Sequence, residues 1–364
     1  MKRNEPIRVA QIMGKLWAGG VEMVVFNYYR AIDKSKVQFD FYYDADSTVE
    51  PPQDLIDMGA RFIKVPPYQK LPQYLKTLKR YFKENNYKIV HSHINTLSVF
   101  PLFSAWTCHI PVRIAHNHSV PGGNEFKRNA LKYFLRLFAK VFATDYFACS
   151  EKAGRWMFGD TTFEKGKVVV MKNAIDFDRF RPDQDFVESR KKDLEIEDKY
   201  VIGCIGRFTF AKNHKFLINV FSEIMKKRDD VVLLLVGDGE LRSDIVRWIK
   251  EKNIQDNTIL VGQVADPENY YRLCNVVAVP SLFEGLSLTT IESQIAGVPV
   301  VISNAVPDEA IISNGITKIN DTNSVSLWVS SLMSEKVVSL NDSSQDYNIE
   351  NAVIKVEEWY LRHG

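Results

Sequence analysis

A chain of 364 residues, 45% hydrophobic and 25% charged, has the balance of a soluble globular protein and is longer than one hydrophobic core usually serves, so two domains are expected. The net charge of +2 conceals an asymmetry: residues 1–183 carry 28 Lys/Arg against 18 Asp/Glu, and residues 184–364 carry 19 against 27. The modest total and the lack of any recognised module argue against nucleic-acid binding, while the basic first half suits a phosphate-rich acceptor, an anionic membrane surface or an uneven solvated face.

In chain order, β-rich runs at 7–13, 39–43, 61–65, 88–93, 112–116, 145–149 and 167–171 alternate with helical patterns at 21–32, 71–83, 126–142 and 151–158. That alternation predicts a doubly wound parallel sheet. A charged, strand-poor stretch ends this half. The pattern then restarts with strands at 200–205, 231–236, 258–261, 275–279 and 298–303, with helices at 214–227, 241–251, 268–273 and 287–295, and a last helix at 348–361. The expected organisation is an acceptor-side domain over 1–183, a linker over 184–198, a second domain over 199–345, and a C-terminal segment over 346–364 that returns to the first domain. Ligands of such sheets bind beyond the carboxyl ends of the strands, so two Rossmann-like domains would face a central cleft.

The four cysteines, Cys108, Cys149, Cys204 and Cys274, form no close pair and read as buried thiols of a reducing compartment. The N-terminal apolar run is too short for a signal peptide and no stretch approaches the length of a membrane span, so a cytoplasmic protein is expected, in contact with a membrane only at its surface.

The candidate site residues follow the strands. Gly19 and Gly20, at the first strand-to-helix turn, would let the backbone approach a phosphate at a helix N-terminus, or would simply permit a tight turn. His91-Ser-His93 and His116-Asn-His118 end two successive strands, the second running into the loop 120–124. They could donate hydrogen bonds to a sugar hydroxyl or diphosphate. Their i, i+2 spacing also puts each pair on one face, where zinc is the competing use, although no nearby carboxylate or cysteine completes a ligand set. In the second half, Gly206-Arg207 and Lys212 follow a strand, where the Arg fork and the Lys point charge can converge on a diphosphate. Gly237, in a Gly-Asp-Gly turn, and Val264 are further candidates. The segment Ser281-Leu-Phe-Glu284-Gly285-Leu286-Ser287-Leu288-Thr-Thr-Ile-Glu292 places one glutamate in a loop and another one turn into a helix, whose first N–H groups suit a diphosphate. Glu292 could accept from a ribose diol and Glu284 could contact a transferred sugar.

The residues 280–301 resemble, nearly position by position, the Glu-x7-Glu block of glycosyltransferase family 4, of the GT-B fold, the group that builds bacterial capsule, exopolysaccharide and lipid-linked glycans. Gly206-Arg207 with Lys212, Gly19-Gly20, and Asn173-Ala-Ile-Asp176 with Phe180 and Pro182 resemble further motifs of that family. The resemblance implies a retaining transfer from a nucleotide sugar, UDP-linked, to a glycan or lipid-linked acceptor, with no metal or other cofactor required. It implies that Arg207 and Lys212 neutralise the leaving diphosphate and that Glu292 holds the ribose. Glu284 with the N–H groups after it would hold the donor sugar, and His118, or His116 in the other register, would contact that sugar. Asp308-Glu309 and Asn314-Gly315 match the family only loosely. A nucleotide-sugar epimerase of the same shape and a non-catalytic sugar-nucleotide-binding subunit are the rival readings. The helix at 126–142, with Lys127/Arg128, Lys132, Arg136 and Lys140 a turn apart, could rest on an anionic membrane or pack on the core behind a solvated basic stripe.

Overall fold

The computed structural model describes residues 5–17, 19–120, 126–181, 183–264 and 266–364, and of 126–128 the backbone only. Most of the loop at 120–124, Pro182, and the side chains of Lys127 and Arg128 therefore lie outside the described residues.

The chain forms two compact units, Met1–Asp176 with Gln345–Gly364, and Phe177–Ser344. The first is built on β1 (Ile7–Gly14), β2 (Val37–Asp44), β3 (Arg61–Val65), β4 (Ile89–Ser92), β5 (Val112–Asn117), β6 (Asp145–Ala148) and β7 (Val168–Val170). They pair in parallel in the order β3-β2-β1-β4-β5-β6-β7. Their apolar runs are buried on both faces because helices cover both sides of a parallel sheet. One face packs Tyr42, Tyr74, Leu78, Phe82 and Leu102 into a continuous core. The last helix, Ile349–His363, belongs to this unit. Its Tyr360 is buried edge-on to Phe39 at 5.7 Å, and its Glu357 accepts from Lys36 at 2.9 Å. A charge is also buried here: Asp40 of β2 accepts from Arg8 Nε at 2.9 Å, Arg61 Nε at 2.8 Å and the Tyr87 hydroxyl at 2.5 Å.

The second unit repeats the plan with β8 (Tyr200–Ile205), β9 (Val231–Val236), β10 (Thr258–Gly262), β11 (Val276–Val279), β12 (Val300–Ser303) and β13 (Ile316–Ile319), parallel in the order β10-β9-β8-β11-β12-β13. Leu233 and Leu235 of β9 and Phe221 and Trp328 from the flanking helices fill its core.

Both sheets reverse strand order beside their first strand, at β1/β4 and at β8/β11. In an open α/β sheet that switch point opens the crevice where ligands bind. The expected strands are present, with differences of physical origin. The boundary between units falls at 176/177, not 183, and the stretch 184–198 is no extended linker: Gln184–Asp193 is a helix of the second unit, capped by Asp183, whose carboxylate accepts from the Phe186 N–H at 3.0 Å. Cys108 is half-buried, unlike the other three thiols. The helix expected over 126–142 ends at Arg136.

Candidate active site

In the second unit the candidate residues gather at the β8/β11 switch point. β8 ends at Ile205, and Gly206 (φ +145°) turns the chain so that Arg207 lies on the loop above the sheet. Gly237 supports this turn, since a Cβ there would stand 2.0 Å from the Gly206 carbonyl oxygen. Its part is to let two loops touch. Lys212 ends a short 3-10 turn, and its Nζ donates to Glu284 Oε1 at 2.8 Å, where the Ser281 hydroxyl also donates at 2.7 Å. Lys and Glu stand 72 residues apart in sequence and are 23% and 12% exposed. Arg207 is 56% exposed, with Glu240 4.0 Å away.

The helix Leu288–Ile295 begins at the same place. Ser287 caps it, its hydroxyl accepting from the Thr290 N–H at 3.4 Å and from the Thr290 hydroxyl at 2.9 Å. Leu286 and Ser287 are buried, Gly285 and Leu288 half-buried. The first-turn N–H groups have no acceptor within the helix and carry the positive end of its dipole. The Thr289 hydroxyl donates to the Ile205 carbonyl at 3.1 Å, pinning the helix start to the end of β8. Gln294 donates to the Thr290 and Ala310 carbonyls and accepts from Ile312 N–H and the Ser313 hydroxyl, which fixes the other end.

Glu292 lies one turn in, and the Tyr271 hydroxyl donates to its Oε2 at 2.5 Å. Burial raises the Glu292 carboxyl above the ordinary range, and the Tyr271 hydrogen bond partly offsets it. Sequence reasoning missed Tyr271 and Ser281. Val264 sits half-buried two residues past β10, and no polar contact among the described residues ties it to this cluster.

In the first unit the candidates gather at β1/β4. His91, His93, His116 and His118 are all buried and form two stacked pairs: His91 on His93 with ring centroids 4.2 Å apart, and His116 on His118 at 3.9 Å. The i, i+2 spacing produces this stacking, because alternate residues of a strand share a face. Hydrogen bonds join the pairs, His91 Nε2 to His116 Nδ1 and His93 Nδ1 to His118 Nε2, both at 3.0 Å. Two residues that the sequence reading passed over complete the group. His93 Nε2 meets Gln11 Oε1 at 2.8 Å, His91 Nδ1 meets the Tyr360 hydroxyl at 2.7 Å, and Gln11 Nε2 donates to that hydroxyl at 3.2 Å. A polar Gln in the middle of the apolar strand Ile7–Gly14 was the available signal. The His118 N–H donates to Asn95 Oδ1 at 2.7 Å.

Burial drives all four imidazoles to the neutral form, with His118 brought down to about 3. Neutral imidazole is also what a metal requires, and one nitrogen each of His91, His93 and His116 lies within 4.8 Å of the others. Yet the observed hydrogen bonds already employ six of the eight ring nitrogens, leaving His116 Nε2 and His118 Nδ1 without a partner among the described residues.

Gly19 precedes the helix Gly20–Ala31, and a Cβ on it would meet Glu22 Oε2 at 2.8 Å. Glu22 folds back over this turn and accepts from the Trp17 N–H at 2.8 Å. The turn thus holds a carboxylate of its own where a phosphate was expected to approach.

Comparison with known proteins agrees with the two-unit architecture. The family model described as Glycosyltransferase Family 4 matches residues 18–179, and that described as Glycosyl transferases group 1 matches residues 185–332. The chain is 30% identical over 333 residues to "Putative glycosyltransferase EpsF" of Bacillus subtilis (strain 168), covering 89% of this chain and 86% of that protein. It is 23% identical, over 98% of this chain and 97% of the other, to the Escherichia coli UDP-Gal:alpha-D-GlcNAc-diphosphoundecaprenol alpha-1,3-galactosyltransferase. Among solved structures, Anabaena HepE in complex with UDP-glucose shares the fold with a TM-score of 0.71 at 15% identity, over 98% of this chain and 95% of that one. The chain belongs to glycosyltransferase family 4 and is a hexosyltransferase-type enzyme of the GT-B fold.

Proposed function

We propose that the enzyme transfers a hexose, with retention of configuration, from a UDP-linked donor to a glycan or lipid-linked acceptor in the synthesis of a bacterial surface polysaccharide. The observation that carries this reading is the cluster at β8/β11: Lys212 paired with Glu284, and Glu292 held by Tyr271, around the start of a capped helix. The names of the relatives support the polysaccharide setting, and HepE was solved with UDP-glucose.

When the bond from the anomeric carbon to the diphosphate oxygen breaks, negative charge grows on the diphosphate, and the acceptor oxygen takes its place on the same face while the acceptor hydroxyl proton passes to the departing phosphate oxygen. Fixed positive groups aimed at that charge lower the barrier. Arg207, Lys212 and the N–H groups of Leu286, Ser287 and Leu288, leading into the helix, supply them, so no divalent cation is required. The arriving diphosphate competes with Glu284 for Lys212, which frees the Glu284 carboxylate for hydroxyls of the donor sugar. Glu292, already bound to one hydroxyl at Tyr271, accepts from the ribose diol. His118, with His116 beside it, contacts the sugar.

The acceptor reading has its own support. Leu131, Tyr133, Phe134, Leu137, Phe138 and Val141 are exposed, Leu137 at 75%. Of the basic residues between them, Lys140 donates to the Phe158 carbonyl at 3.1 Å and Arg136 lies over the Trp156 ring at 5.5 Å. The solvent face here is apolar, which suits shallow insertion into a membrane more than electrostatic contact alone. No helix among the described residues is long and apolar enough to cross a membrane. The exposed apolar face supports a reading of peripheral attachment at the inner face of the cytoplasmic membrane, and unchanged recovery in the soluble fraction with anionic liposomes at low salt would contradict it.

The test is a donor screen by thermal shift, followed by assay of nucleoside diphosphate release with and without a lipid-linked acceptor. Acceptor-dependent release from a UDP-hexose is expected, and it collapses in Glu292→Ala and Arg207→Ala. Normal turnover by both variants, or conversion of the donor with no acceptor, would overturn the reading; the second outcome is that of an epimerase.

A further inference from the structure

We infer that Gln11 and Tyr360 are positioning residues that fix the tautomers of the four buried histidines, so that His118 offers a lone pair and His116 an N–H to a neutral hydroxyl group of the ligand. The bonds dictate this pattern once the Gln11 amide is placed. Its oxygen faces His93 Nε2, so that nitrogen carries the proton and donates. His93 Nδ1 is then a lone pair, and it accepts from His118 Nε2–H. His118 Nδ1 is left as an acceptor. On the other side of Gln11, its amide N–H donates to the Tyr360 oxygen. The Tyr360 hydroxyl proton is free to point at His91 Nδ1, which accepts. His91 Nε2–H then donates to His116 Nδ1, and His116 Nε2–H is left as a donor. These two end atoms, His118 Nδ1 and His116 Nε2, are the two ring nitrogens of the group that are buried without a partner among the described residues.

A buried unpaired donor and a buried unpaired acceptor each carry a desolvation cost, which a bound group with matching functions removes. The two rings are stacked, with their centroids 3.9 Å apart. An alcohol both donates and accepts and fits the pair. A phosphate or carboxylate only accepts, and would meet the His118 lone pair with its own. Turning the Gln11 amide over reverses every bond and exchanges the two ends. One end remains a donor and the other an acceptor, because a single amide offers one of each to the two branches. Gln11 sits on β1 and Tyr360 on the last helix, so the far end of the chain helps set the hydrogen-bonding character of a site on β5.

The tautomer pattern stands independently of the transfer reading; the assignment of the ligand hydroxyl to a sugar rests on it. Long-range proton–nitrogen correlation spectra of the full-length protein, labelled with nitrogen-15 in its histidines at pH 7.5, read the pattern directly. All four buried histidines are expected as fixed Nε2–H tautomers. An Nδ1–H on His118, or averaged signals from the group, would overturn the proposal. Tyr360→Phe, isosteric and buried, should release the His91–His116 branch into a tautomer mixture while His93 and His118 keep theirs; an unchanged His91–His116 branch would remove Tyr360 from the network. In turnover, that variant should lose about tenfold in kcat with UDP affinity within twofold of wild type. A wild-type enzyme with no transferase activity would sink the transfer reading while leaving the spectra to judge the tautomers.

Discussion

The two units share one topology and place their polar residues at the same point of it, yet the chemistry there is opposite in kind. The β1/β4 crevice of the first unit is lined by neutral groups, four imidazoles, an amide and a phenol, joined in a hydrogen-bonded chain. At the β8/β11 crevice of the second stand ionisable side chains: the paired Lys212 and Glu284, Arg207, and Glu292. A neutral network suits hydroxyls and a charged one suits phosphates, so a single topology used twice offers two different kinds of recognition.

The comparison breaks most visibly in acid. A histidine that is neutral in the folded state and protonated in the unfolded one contributes stability that is complete above 6.5 and is lost as pH falls toward its folded value, about 3 for His118. Each such group is worth up to about 1.4 kcal/mol per pH unit in that window. The first unit has four, opposed by Asp44, whose carboxyl burial pushes up to about 7 and which therefore adds stability as pH falls. The second has His214, brought down to about 4 by burial, set against the raised Glu292. Hydrogen exchange between pH 7 and 5 should show the first unit opening steeply and the second hardly at all; equal slopes would refute the account.

Removing charge from the second unit comes next. Lys212→Ala is expected to lower kcat/KM for the nucleotide sugar by about 100-fold or more, the loss of one fixed cation from a developing diphosphate. Gly237→Ala brings a methyl group against the Gly206 carbonyl and should destabilise the second unit by about 1–3 kcal/mol, read as a shift in the denaturant midpoint, while displacing Arg207. Smallest is Tyr271→Phe, which takes one hydroxyl from Glu292 and should weaken nucleotide binding about tenfold, read by titration calorimetry.

Continuous apolar runs such as Val231–Val236 made the central strands legible, because a parallel strand buried on both faces is apolar throughout. The edge strand Ile316–Ile319 was not, with three of its four residues only half-buried and a Lys among them. Val99–Thr107 is apolar nearly all round and shows no helical period, and Gln184–Asp193 buries nothing, so neither announced itself as a helix. The glutamate block was readable as a local motif. Its pairing with Lys212 was not, nor was the wiring of His91 to Tyr360, 269 residues away, since such contacts depend on the register of whole sheets.

The division of labour is tested most directly by calorimetric titration of UDP, without sugar, into wild type, Lys212→Ala and His118→Asn. The account predicts at least tenfold weaker binding for Lys212→Ala and an affinity within twofold of wild type for His118→Asn, whose defect appears only in sugar transfer. Loss of UDP affinity in His118→Asn, or its retention in Lys212→Ala, would contradict it.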